Sequence, residues 1–380
     1  MTTRTTTSPA PAHADIDRRG SWLPSGAMIA TRILELRKRR GLMIALLVVT
    51  IGIPGVFLTI RLILHGIDPK TYGPAGGYDT YSAIVAGVLY VFGFIVAATL
   101  GCTAGSVDLS EGMFRHLVVT GRSRLALYLA RIPAGLAILV PMVAAGFTIV
   151  CAVCVFAAPT KLVYQGVTVP PGLTVSGLQT WAANHAEEVV CGFPSRNVNI
   201  NLPCYLNNKG HVVIQQLPPG ATAPPPPTVA QLRSAARQIA RQDFYDYSHT
   251  FLVPSDRLMI QSGLWLELEA IIGLIVGLGL ASLMGQRTVP VVLMIVLELI
   301  LTPILSRHVI PHFINVQRGI VGLATAHLEP SALPQVFGGG GGPGGPHLVS
   351  ESTLSAALVV VAWLVGWSVL GAWRMMTRDA

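Results

Sequence analysis

Of its 380 residues 52% are hydrophobic and only 12% charged, so this chain has too few charges to solvate the surface of a soluble protein of its size. Composition therefore excludes a wholly water-soluble protein and points to an all-α polytopic membrane protein. The formal net charge of +8 does not indicate a nucleic-acid partner, because the basic residues abut the apolar segments.

Residues 1–24 are polar and rich in Thr, Pro and Ala, with no apolar stretch ending in a cleavage site. They read as a disordered cytoplasmic tail and not as a signal peptide. In residues 25–40, Met28, Ile29, Ile33 and Leu36 recur at near-helical spacing against Arg32, Glu35 and the run Arg37, Lys38, Arg39, Arg40. That pattern predicts an amphipathic interfacial helix on the inner leaflet. Residues 41–157 hold the first three spans, roughly 41–60, 81–101 and 132–158, each long enough for a hydrocarbon core of about 30 Å at about 1.5 Å per residue. Between the second and third lies the run DLSEGMFRHLVVTGRSRL. So many charges between two spans belong at one aqueous face, a cytoplasmic elbow over 108–124. Within it a short amphipathic helix at 111–118 would put Met113, Phe114 and Leu117 on one side. Such an apolar knob ringed by charge suits a groove on a partner; alternatively, Phe114 and Leu117 dip into the inner leaflet.

Residues 158–257 differ in composition and predict a small mixed extracytoplasmic domain. Stretches 167–169, 173–175 and 211–217 have β character, and the proline-rich run from Pro218 to Thr228 reads as an extended linker. Thr228 and Gln231 form a capping box opening a helix to about Asp243. On that helix Arg233, Arg237 and Arg241 make a basic stripe opposite Leu232, Ala236 and Ile239, either a contact for anionic headgroups or an acidic partner, or a solvated face. Cys191 and Cys204 bracket a polar loop in an oxidising compartment and predict a disulfide, whereas Cys102, Cys151 and Cys154 belong to spans or their ends. Spans four and five follow within 258–305, then a Gly-rich extracytoplasmic loop over 306–352, a sixth span at 353–373 and a tail at 374–380. The run GGGGGPGG at 338–345 lacks the Lys-Ser/Thr of a phosphate loop and reads as a flexible linker. With six crossings Arg37–Arg40, Arg115, Arg122, Arg124, Arg287, Arg374 and Arg378 share one side, which the positive-inside rule makes cytoplasmic together with both termini. The expected location is the plasma membrane.

No GxxxxGK[ST], HExxH or GxSxG motif occurs, so no hydrolytic signature is present. No second Cys or His pair stands at zinc-ligand spacing. His308 and His312 are four apart, but Pro311 spoils a helical presentation and no adjacent Glu accompanies them. Three acids fall inside spans: Glu267 and Glu269 in the fourth, Glu298 in the fifth. Intramembrane acids default to function or to pairing. Counting from the cytoplasmic ends places Glu298 near mid-depth and Glu267 and Glu269 toward the outer boundary, at the level of Arg307. They predict either an ion pair with Arg307 or a polar lining for a transported molecule.

This layout resembles the permease subunit of type-2 ATP-binding-cassette transporters, actinobacterial members in particular. Members carry in the elbow an acid and a glycine-like start, a basic residue, then a Ser-Arg step before the third span, which Glu111, Gly112, Arg115, Ser123 and Arg124 match. Gly121 stands where a proline is common, and the loop after the third span is longer than the family's minimum, so the substrate class does not carry over. The resemblance implies a transmembrane half working with a separate cytosolic ATP-binding subunit, two copies of each, with ATP and magnesium on that partner and no cofactor or metal in this chain. It assigns docking on the ATPase to Glu111, Gly112, Met113, Phe114, Arg115, Arg122 and Arg124, and makes Glu298, Glu267 and Glu269 candidates for the translocation path. The function expected is export of an unidentified substrate. Two other classes stay open: a membrane-embedded transferase acting on a lipid-linked substrate through Glu267, Glu269, Glu298 or His308, and a non-transporting scaffold.

Overall fold

The computed structural model describes residues 22–68, 72, 74–110, 123–164, 167–191, 204–206, 212–214, 228–244, 247, 253–307, 310–330, 333, 349 and 351–377. Among them six helices are long and apolar enough to cross a membrane: Arg40–Ile67, Tyr78–Asp108, Arg124–Phe156, Asp256–Met284, Thr288–Ser306 and Thr353–Thr377. The protein is therefore a multi-pass, all-helical membrane protein. The chain divides into two compact units, one of residues 1–57, 83–150 and 257–380, the other of residues 58–82 and 151–256.

In the first unit the fourth span is the central helix, with 72% of its apolar stretch buried against 17% for the sixth. Leu354, Leu358, Val361, Val365 and Val369 of the sixth span form an exposed stripe at helical spacing, the pattern of a lipid-facing side. The fourth span reaches the centre because it is thin where it meets the second. Gly273 and Gly277 on the fourth and Gly101 and Gly105 on the second are each four apart, the spacing that lets two helix backbones approach closely. A methyl group on Gly101 would collide with the Leu274 carbonyl, and one on Gly277 would lie 2.8 Å from the Ala98 carbonyl oxygen. Beside this seam Phe94, Ile272, Val276, Met294, Val321, Ala324 and Val360 form a buried apolar cluster. Three spans also contain π-helical stretches, Val48–Gly52, Ala83–Leu89 and Val296–Leu301, a distortion frequent at functional sites.

Outside the spans the described residues of this unit form three helices of five residues or more. α1, Gly26–Lys38, is capped by Ser25, whose hydroxyl accepts from the Met28 amide. Met28 packs with Ala126, Leu127 and Ala130 of the third span, so the predicted amphipathic helix rests on protein along its apolar side. α5, Ile314–Arg318, and α6, Val321–Leu328, occupy part of the stretch expected to be a loop over 306–352. The correction has a sequence cause: the run VGLATA is apolar and small, and all six of its residues are buried. The glycine run at 338–345 lies outside the described residues.

Outside the spans, the described residues of the second unit form two antiparallel hairpins and three helices. β1, Leu162–Tyr164, pairs with β2, Val167–Val169, and β3, Cys204–Leu206, with β4, Val212–Ile214. These are the only sheets among the described residues, so the predicted mixed domain is mostly helical. Residues 173–175 are not a strand. Thr174 is extended because it caps α2, Val175–Asn184, with its hydroxyl accepting from the Gly177 amide at 3.2 Å. α3 is Ala186–Cys191 and α4 is Val229–Gln242, the latter opened by the expected Thr228–Gln231 capping box. Leu178, Ala182, Val189, Leu232, Ala236 and Ile239 form its core with Val169 and Tyr247. The Tyr247 hydroxyl accepts from the Leu173 amide and donates to the Pro170 carbonyl. Arg233, Arg237 and Arg241 are exposed on the opposite face of α4.

Cys102, Cys151 and Cys154 are free thiols, and Cys191 is buried and disulfide-bonded. The side chain of Cys204, its expected partner, lies outside the described residues. Mass mapping of unreduced peptides is expected to return a Cys191–Cys204 link, a closure contributing about 3 kcal/mol. Recovery of Cys204 as a free thiol would refute the pairing.

Candidate functional site

Two polar clusters lie inside the first unit. The first is built on Asp108, the last residue of the second span. It does not sit in an aqueous elbow, as the sequence suggests, but is 2% exposed. The reason is pairing: its carboxylate accepts from Arg32 of α1 at 2.8 and 2.5 Å and from Arg131 of the third span at 2.5 Å. Arg131 is also 2% exposed and donates its other terminal nitrogen to the Gly105 carbonyl at 2.9 Å. Arg32 reaches Glu35 on its own helix at 2.6 Å. Burial works against the Arg32 charge, but the carboxylates of Asp108 and Glu35 outweigh it and hold the guanidinium above its ordinary range. One carboxylate thus ties α1 to the end of the second span and the start of the third. Arg124, at that start, donates to the Met376 carbonyl near the end of the sixth span at 3.1 Å.

The second cluster joins the second, fourth and fifth spans to α6. Glu298 lies within the π-helical stretch of the fifth span and is 1% exposed. Tyr90 directly follows the π-helical stretch of the second span, and its hydroxyl donates to Glu298 Oε1 at 2.6 Å. The Tyr90 ring stacks on Trp265 of the fourth span at 4.9 Å, and the Trp265 indole donates to the Thr325 carbonyl of α6. Glu269, one turn beyond Trp265 and 2% exposed, lies beside the Thr325 hydroxyl and close enough to Glu298 for their charges to interact. A carboxyl oxygen of each acid, Glu298 Oε2 and Glu269 Oε1, has no hydrogen-bond partner.

Backbone shape makes room for this cluster. A Cβ on Gly322, in the first turn of α6, would lie 2.5 and 2.6 Å from the two Glu298 oxygens and 2.7 Å from the Thr302 hydroxyl. Only glycine lets that turn approach so closely, and a carboxylate beside a helix N-terminus is electrostatically favoured. Thr302 in turn donates both its backbone N–H and, at 2.9 Å, its hydroxyl to the Leu297 carbonyl five residues back, the pairing of a π turn.

Glu269 and Glu298 therefore share one level, against the expectation of different depths. The fourth span has 29 residues, about 43 Å at 1.5 Å per residue, so it overruns the hydrocarbon and Glu269 falls near its middle. Glu267 is half-buried, with neither carboxyl oxygen hydrogen-bonded. The side chain of Arg307 and all of His308 lie outside the described residues, as do Glu111, Gly112, Met113, Phe114, Arg115 and Arg122. Sequence reasoning missed Asp108, Arg131, Tyr90 and Gly322. The signals were present for two of them: Arg131 opens an otherwise apolar run, and Asp108 follows the second span one helical turn after Gly105. Among the described residues no group of three His, Cys, Asp or Glu is placed to hold a metal. Comparison with models of protein families, with curated proteins and with solved structures returned no match.

Proposed function

We propose that this protein is the permease subunit of an ATP-driven exporter of the type-2 ATP-binding-cassette kind. It pairs with a second copy and with two cytosolic ATP-binding subunits that carry ATP and magnesium. The observation that carries the reading is the Asp108 bridge. Asp108 stands three residues before the segment 111–122, whose pattern resembles the family's docking elbow, and its carboxylate locks α1, the second span and the third together. A push on that segment is then delivered to three elements at once and not absorbed by one helix end. In this arrangement both termini and the elbow are cytoplasmic, α1 lies at the inner membrane surface, and the 158–257 domain is extracytoplasmic.

The elbow transmits work in this reading, through Phe114 as the apolar knob and Glu111 at its charged rim. Glu111→Ala and Phe114→Ala are each expected to lower stimulation of the partner ATPase and recovery of the complex by tenfold or more, with membrane insertion kept. Wild-type values for both quantities in properly inserted protein would reject the docking role. Co-purification of the full chain from its native membrane without any ATP-binding subunit would reject the function.

A further inference from the structure

We propose that Glu269 and Glu298 form a binding site for one monovalent cation, a proton or a sodium ion, inside the membrane-spanning bundle. Both carboxyls are almost wholly buried, at 2% and 1% exposure. Each offers an oxygen with no hydrogen-bond partner. No Lys, Arg or His among the described residues forms an ion pair with either, whereas Asp108 in the same unit has two arginines. A pair of buried carboxylates without a countercharge is strongly unfavourable in a low-dielectric interior, and a cation taken from solution removes that penalty.

The charge tally explains why one monovalent ion suffices. Glu298 already receives the Tyr90 hydroxyl and lies against the first turn of α6, two features that stabilise an anion. Glu269 has only the Thr325 hydroxyl beside it, and that hydroxyl also donates to the Gly322 carbonyl. One charge is therefore unmatched. Among the described residues the other ionisable groups facing the pair are Tyr90 from the second span and Glu329 just beyond α6, neither of them a cation. The site is also built and not incidental. A π stretch precedes Tyr90, another contains Glu298, and Gly322 supplies the clearance for its carboxyl. The proposal does not depend on what energises the protein, so it stands or falls apart from the exporter reading.

The test uses the full-length protein in lipid nanodiscs. Infrared difference spectra between alkaline and acidic pH, recorded in sodium-free choline buffer, read a protonated carboxylic acid through its carbonyl band. Thermal unfolding at alkaline pH, in sodium chloride against equal choline chloride, reads sodium. A proton site is expected to give a carbonyl band that is lost in Glu269→Gln, the acid with the unmatched charge, and shifted in frequency or pH midpoint in Glu298→Gln. A sodium site is expected to give a sodium-specific rise in Tm lost in both variants. Neither signal in the wild-type protein, or a signal that persists in both variants, overturns the proposal. Because the wild type alone decides the first of these outcomes, a variant that fails to fold does not shield the idea.

Discussion

Asp108→Ala is expected to destabilise the protein by about 3–5 kcal/mol, because it strands the buried Arg131 guanidinium and leaves Arg32 with Glu35 alone. Arg131 is the more severe of the two, at 2% exposure with its second contact a backbone carbonyl. The same principle predicts the shape of the rescue: combining Asp108→Ala with Arg131→Met removes a buried charge along with its partner and should return part of the lost stability. Unfolding in one detergent, followed by thermal or denaturant scans, makes the comparison. A wild-type midpoint for the single variant would mean that the bridge holds nothing together, and would also remove the observation on which the exporter reading rests.

Two glycines in the second span should respond unequally to the same added methyl group. At Gly101 a Cβ meets the Leu274 backbone carbonyl of the fourth span, whereas at Gly93 nothing lies within 4 Å. A backbone oxygen in the middle of a helix cannot rotate aside, so Gly101→Ala is expected to cost about 1–3 kcal/mol through displacement of the two helices. Gly93→Ala should fall within about 0.5 kcal/mol of wild type. Measuring both unfolding midpoints controls for any general effect of alanine in this helix, and equal midpoints would show that the second and fourth spans do not meet along this seam.

The spans were legible in the sequence because they depend on nothing beyond local apolar length, and the Thr228 cap and the arginine stripe of α4 because both are governed by spacing within one helix. Partnerships between distant residues were not. Asp108 looks like the first residue of a polar elbow until Arg32, 76 positions earlier, and Arg131, 23 positions later, are seen around it. Gly101–Gly105 and Gly273–Gly277 pack only because they face each other, which nothing local in the sequence says. Counting along straight helices also misplaced Glu269 relative to Glu298, since helix overrun and π turns leave no mark in hydropathy. The Leu173–Val175 stretch misled for a different reason: a capping threonine is itself extended, so one turn of helix start reads as a piece of strand.

The widened turn in the fifth span also settles how so short a helix keeps one side inward. Beyond the buried Pro290 of its first turn, its buried residues are Met294, Glu298, Thr302 and Ser306, every fourth position. On an unbroken α-helix a step of four residues overshoots a full circle by about 40°, so three steps would carry the stripe about 120° around the axis. Ser306 would then turn toward the side occupied by Val292, which is exposed. By spreading Val296–Leu301 over a wider coil, the chain resets its phase at Glu298 itself. The residue that disrupts the regularity of the helix is thus placed where that disruption aligns all four polar or packing positions, so the acid and its inward-facing neighbours are a single geometric solution.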